Sequence, residues 1–167
     1  MEIWDILDKQ GNKTHRTIVR GEELKDGEYH LVVHIWIMNS KGEFLIQRRA
    51  DTLKLMPGMW AATGGSALAG EDSKTAALRE VKEELGIDIN SDSIHKIWRV
   101  TRKHNLADVW FVKDDVNIED LELLEEEVSH AKWVTKEELK SMVTKGEFHN
   151  YGAEYFRKLY EYALDTY

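Results

Sequence analysis

Between Gly65 and Ile87 the chain reads GSALAGEDSKTAALREVKEELGI, with glycines and glutamates at spacings that helix formation alone would not require. A helix over Ser73 to Leu85, at about 3.6 residues per turn, sets Glu80, Glu83 and Glu84 within an arc of roughly 100°. Like charges so placed repel one another, and Lys82 screens them only in part. Glutamate is a good helix former and a solvated acidic face is the commonest outcome, so the acidic face alone does not make a site. Its glycine context adds to it. Gly64 and Gly65 permit close backbone approach before the helix, Gly70 lets the loop turn, and Gly86 suits the helix C-terminus. Leu78, Val81 and Leu85 form an apolar stripe that packs the helix on a sheet and turns the glutamates toward a cleft. A hard divalent cation would reconcile the carboxylates, and Mg²⁺ binds through carboxylates together with substrate phosphates. The expected chemistry is phosphoryl transfer to water.

Gly65, Glu71, Arg79, Glu80, Val81, Glu83, Glu84, Gly86 and Ile87 together resemble the Nudix box, matching each of its specified positions. The resemblance implies an α+β Nudix fold, a mixed β-sheet sandwiched between α-helices, and a pyrophosphohydrolase that uses Mg²⁺, with Mn²⁺ as an alternative. It implies Glu83 and Glu84 as metal ligands, Glu80 as a third ligand or as the carboxylate that deprotonates water, and the Gly64 carbonyl as a further ligand. Arg79 orients the catalytic carboxylates and Glu71 pairs with it to hold the loop, a role close to that of a structural salt bridge. Many relatives carry another acidic ligand before the last strand. Glu127, six residues before Trp133, is the choice here, with Glu125 and Glu126 competing and a solvated charge run as the alternative.

The rest of the chain agrees with one domain over residues 1–167, with an N-terminal β-hairpin and a C-terminal helix. Its 167 residues are 42% hydrophobic, enough for a sizeable core, and include no Cys and one Pro. Disulfides, thiol nucleophiles and Cys-ligated zinc are excluded, and a reducing cytoplasm is the expected compartment. The first residues, MEIWDILDKQGNKTHRT, do not read as a signal peptide. A net charge of −8, from 31 acidic and 23 basic residues, argues against extended nucleic acid as the main ligand and leaves small phosphates open.

Ile3 to Leu7 and Thr14 to Val19 read as one hairpin; Tyr29 to Met38 and Glu43 to Arg49, around Asn39-Ser40-Lys41-Gly42, read as another. Trp60 to Thr63 is a predicted short strand, Ile94 to Thr101 and Asp108 to Val112 a strand pair, and Val128 to Val134 the last strand. Thr135 with Glu138 signals a capped helix through Met142, and Phe148 to Leu164 carries aromatics at helical spacing, suited to a core or a homodimer contact. Arg48 or Arg49 is the expected phosphate clamp, with strand alternation turning only one of them inward. Trp60, His104, Asp108 and Trp110 are weaker candidates for substrate contact, since core packing is the commoner fate of such residues.

The stretch HLVVHIWIMNSKGEFLIQRRADTLKLMPGMW resembles the isopentenyl-diphosphate isomerase branch of the same superfamily. Where that branch carries a catalytic Cys followed by a metal-binding His, this chain has Gly65 and Ala67, so the isomerase acid is missing. His30 corresponds to another isomerase ligand, but alone on a strand it reads better as a hydrogen-bonded structural residue. Lys103, His104 and Asn105 stand where the Pro of ADP-ribose-cleaving relatives or the Tyr of diadenosine-polyphosphate hydrolases would fall. The expected function is hydrolysis of a diphosphate linkage in a nucleoside diphosphate joined to another moiety. The alternative is a non-catalytic nucleotide-binding or regulatory domain of the same fold, because fold alone does not fix function.

Overall fold

The computed structural model describes residues 1–165. Strand β3 (His30–Met38) is apolar nearly throughout because both faces of the sheet are covered. Ile35 and Ile37 enter one core and Trp36 and Met38 the other. Around it lie β1 (Ile3–Leu7), β2 (Lys13–Val19), β4 (Phe44–Arg49), β5 (Trp60–Ala61), β6 (Thr63–Ser66), helix α1 (Ser73–Leu85), β7 (His95–Thr101), β8 (Asn105–Lys113), β9 (Val128–Val134), α2 (Lys136–Thr144) and α3 (Ala153–Asp165). The main sheet runs β5-β4-β3-β8-β7, with β6 added to β3 and β9 to β4. Helix α1 covers one face, while α2 and α3 cover the other, so the α+β sandwich expected from the sequence is what forms. Among the described residues no helix is long and apolar enough to cross a membrane.

The second hairpin departs from expectation in a way that makes the cleft. β3 and β4 pair only at Met38 and Phe44, beside the turn. Beyond it β4 takes β9 and β5, while β3 pairs in parallel with β8 from His30–Asn105 to Met38–Lys113 and antiparallel with β6 from Val32–Ser66 to Ile35–Thr63. The predicted Trp60–Thr63 strand is therefore two strands that change partner at Ala62, whose N–H is taken by the Tyr151 hydroxyl at 3.2 Å.

Helix α1 has the predicted bounds. Asp72 caps it by accepting from the Thr75 N–H at 2.8 Å, and Gly86 ends it at φ 72°, with its N–H on the Lys82 carbonyl at 3.0 Å. Ala76, Ala77, Val81 and Leu85 are wholly buried, while Leu78 packs at the margin. The Val and Leu side chains contribute about 1.5–3 kcal/mol each, which fixes the helix face and hence the direction of the glutamates. Helix α2 opens on the expected capping box of Thr135 and Glu138. Helix α3 starts at Ala153, later than predicted, because Gly152 at φ 108° breaks the backbone. Phe148 instead forms a parallel bridge with Trp60 and is buried. The strand predicted at Asp108–Val112 extends from Asn105 to Lys113 along the whole of β3.

Candidate functional site

The divergence of β4 from β3 leaves a cavity of about 150 Å³ over α1. Glu80, Glu83 and Glu84 face it from the helix, Gly64, Gly65 and Ser66 from β6, and Gln47 and Arg49 from β4. Glu127 closes another side, whereas Glu125 and Glu126 do not line it. Gly64 and Gly65 are required by contact. A Cβ on Gly64 would stand 2.3 Å from the Val33 carbonyl oxygen, and one on Gly65 would stand 2.3 Å from Glu80 Oε1.

Arg79 ties the loop to the helix. Its Nε and Nη2 donate to the two carboxylate oxygens of Glu71 at 2.8 and 2.9 Å, and Nη2 also reaches the Ser66 carbonyl at 3.1 Å. Nη1 donates to Glu80 Oε1 and Glu83 Oε2, each at 3.1 Å. Glu71 Oε1 also accepts the Leu68 N–H at 2.7 Å. Partial burial works against the charge on Glu71, but Arg79 and the Leu68 N–H outweigh it and hold the carboxyl below its usual range. Hydrogen bonding to Glu71, and then the charge of Glu80, raise the Arg79 value further.

Glu80 and Glu84, one turn apart on α1, are 7% and 3% exposed. Burial first, and the charge of Glu80 for Glu84, push both carboxyls upward, and the two side chains share a hydrogen bond. The Gln47 amide donates to Glu84, and the Thr63 hydroxyl donates to Gln47 Oε1 at 2.8 Å, fixing the amide orientation. Glu83 is half exposed and drawn to Arg79. Among the described residues no three acidic or histidine side chains already surround a single point as ligands would. The donor set nevertheless fits a hard divalent cation: the carboxylates of Glu80, Glu83, Glu84 and Glu127 share one cavity, two of them buried together at a cost that a bound cation would offset.

Other sequence-based candidates lie elsewhere. Arg48 points away from Gln47 and Arg49 by strand alternation; it donates to the Ser129 hydroxyl at 3.0 Å and pairs with Asp51 at 2.9 Å. Trp60 packs against the α2–α3 core beneath the Lys132 ammonium, 4.6 Å from its ring centroid. His104 Nδ1 sits 3.3 Å from the Glu28 carbonyl. Asp108 is fully buried on Arg99, at 2.6 and 3.0 Å, and Trp110 donates to Ser73 at 3.0 Å beside the start of α1. His30 is stacked on Trp4, its backbone N–H donates to the His104 carbonyl at 3.0 Å, and its buried Nδ1 has no hydrogen-bond partner. Gln47, Glu2 and Arg20 line the cleft without having been foreseen. Parity would have found Gln47 once Arg49 was chosen, but nothing local could place the hairpin residues there.

The NUDIX domain model matches residues 28–158. An uncharacterized Nudix hydrolase of Listeria monocytogenes is 44% identical over 149 residues, covering 89% of this chain and 88% of that protein. An isopentenyl-diphosphate Delta-isomerase of Escherichia coli is 32% identical over 96 residues, 56% of this chain and 53% of the isomerase. Among solved structures, DR0079 of Deinococcus radiodurans superimposes with a TM-score of 0.78 at 24% identity, covering 94% of this chain and 98% of that one.

Proposed function

The chain belongs to the Nudix family of hydrolases, and on that premise we propose that it cleaves a diphosphate linkage in a nucleoside diphosphate joined to another moiety, with Mg²⁺ as the preferred ion and Mn²⁺ as an alternative. The observation that carries this reading is the buried Glu80–Glu84 pair beside Glu83 and Glu127, an arrangement costly to folding and useful to a cation. A cation held by Glu80, Glu83, Glu84, Glu127 and the Gly64 carbonyl would neutralise diphosphate oxygens and lower the pKa of a bound water.

The chain's own residues supply position and proton transfer. Arg79 restrains Glu80 and Glu83 from behind and need not touch substrate. Gln47 orients Glu84, and Arg49, on the same side of β4, binds phosphate oxygens. Water adds to phosphorus, a glutamate of the helix accepts its proton, and the bridging P–O bond breaks with the charge leaving on the departing phosphate.

Isomerase chemistry is disfavoured on steric as well as compositional grounds. With no Cβ at Gly65, the Glu80 carboxylate occupies the space a cysteine side chain would need, and the chain contains no Cys. Turnover should be measured with divalent cations across nucleoside triphosphates, nucleotide sugars, ADP-ribose, dinucleoside polyphosphates and isoprenoid diphosphates, with products identified by mass. Turnover abolished by Glu84→Gln in a folded protein supports the reading. Binding without turnover on any substrate would favour a regulatory domain instead.

A further inference from the structure

The family match begins at residue 28, yet one wall of the cleft is built before it, by Glu2 and Arg20 at the ends of the β1–β2 hairpin. The hairpin is fastened to the body by hydrogen bonds. Ala69 N–H donates to the Ile3 carbonyl and Gly70 N–H to Asp5 Oδ2, both at 2.8 Å, and Leu7 and Tyr29 exchange hydrogen bonds of 2.7 and 3.0 Å. The first two contacts fall on the same loop that Arg79 and Glu71 hold.

On this support Arg20 is held in place at the cleft. Its N–H donates to the Glu2 carbonyl at 3.0 Å and its Nη1 to Glu2 Oε2 at 2.9 Å. Trp4 Nε1 donates to the same oxygen at 3.3 Å. The guanidinium carbon lies 6.0 Å from the Trp4 ring centroid, and Trp4 stacks on His30 with centroids 4.0 Å apart and planes 9° from parallel. The Arg20 side chain is 60% exposed and that of Glu2 38%, so their ion pair is a solvated one and weakly held. A phosphoryl group offers the same guanidinium two charge-assisted hydrogen bonds in a better-matched geometry. Arg49 lines the same cleft as a second cation for a polyphosphate, while the carboxylates that line it with the two arginines would repel any further anionic group that lacked a cation of its own.

We propose that Arg20 is a specificity-determining residue that leaves Glu2 to bind a terminal phosphoryl group of the substrate, beyond the cleaved linkage. The proposal deepens the hydrolase reading and rests on it. Substrates ending in a phosphate are thereby preferred to those of equal diphosphate content ending in a neutral sugar.

The test compares a nucleoside triphosphate with the hexose-linked diphosphate of the same nucleoside. In Arg20→Gln the KM of the first relative to the second rises about tenfold, the loss of one good charge-assisted bond. Arg20→Lys recovers part of that ratio and Glu2→Gln lowers it below wild type. A ratio unchanged within twofold in Arg20→Gln, or equal rises in both KM values, overturns the proposal, since a merely structural Glu2–Arg20 pair would affect both substrates alike. Calorimetric titration of each variant with inorganic tripolyphosphate, in Ca²⁺, keeps the test independent of turnover. Weaker binding in Arg20→Gln supports the assignment even if every candidate substrate goes uncleaved, which would instead remove the hydrolase reading; equal affinity refutes the assignment.

Discussion

Gly65→Ala isolates the geometry on which the site depends. The added methyl would stand 2.3 Å from Glu80 Oε1, 2.5 Å from Cδ and 2.8 Å from Oε2. Ordinary contact begins near 3.5 Å, so the carboxylate has to retreat by about 1 Å. It cannot do so without loss, because Glu80 is 7% exposed, accepts from Arg79 at 3.1 Å and shares a hydrogen bond with Glu84. Overpacking of this kind costs about 1–3 kcal/mol, and a displacement of about 1 Å in a catalytic group lowers turnover on the order of a hundredfold. The assay is kcat/KM with Mg²⁺ beside a thermal melt, where the stability cost lowers Tm by roughly 2–10 °C. Gly70→Ala is the control: it meets nothing within 4 Å but sits at φ 90°, so it costs stability of about 1 kcal/mol and little turnover. Gly64→Ala, whose methyl meets the Val33 backbone, compromises the fold itself. Wild-type turnover in Gly65→Ala, or equal loss in Gly70→Ala, would refute the reasoning.

Arg49→Ala raises KM by roughly tenfold, whereas Arg48→Ala leaves it near wild type, because only the first lines the cleft; steady-state kinetics on both variants separates them. Arg99→Met leaves the fully buried Asp108 carboxylate without its main partner and costs about 2–4 kcal/mol, read from urea unfolding, with Asp108→Asn in the same background restoring part of it. His34 gives a pH dependence. Trp36 Nε1 donates to the Tyr155 hydroxyl at 2.8 Å, His34 Nδ1 lies 2.8 Å from the same oxygen, and burial pulls the imidazole down to about 3. The unfolded chain takes up that proton near pH 6.5 and the folded chain does not, so the contribution is complete above pH 6.5 and declines as pH falls toward 3. About 2 kcal/mol is lost between pH 6.5 and 5, and His34→Gln flattens that part of the stability profile measured by chemical denaturation; an unchanged slope would rule out the assignment.

The helix bearing the glutamates was legible because its information is local: a stop at Gly86 and an apolar face of fixed period, to which the structure adds the cap at Asp72. The choice of Glu127 over its neighbours rested on a spacing, and that residue does reach the cavity. The parting of β3 and β4 was not legible, since a turn sequence determines where a hairpin begins and not how far it remains paired. Trp60 and His104 were candidates by chemical type, and the side of the sheet on which each falls depends on partners distant in sequence. Arg20 was invisible for the same reason, its place fixed by contacts with residues around position 70.

A single residue, Ala62, lies between the strand that serves β4 and the strand that serves β3. The strands that pair with β4 and with β3 therefore belong to one short covalent span, which limits how far β4 and β3 can part beside the cavity. Directed evolution toward a bulkier substrate would gain little by randomising the floor, where extra side-chain volume meets either the Val33 carbonyl or the Glu80 carboxylate. Libraries are better aimed at the entrance, at the hairpin bearing Glu2 and Arg20 and at the loop that carries Leu53, where length and charge can vary without parting the strands.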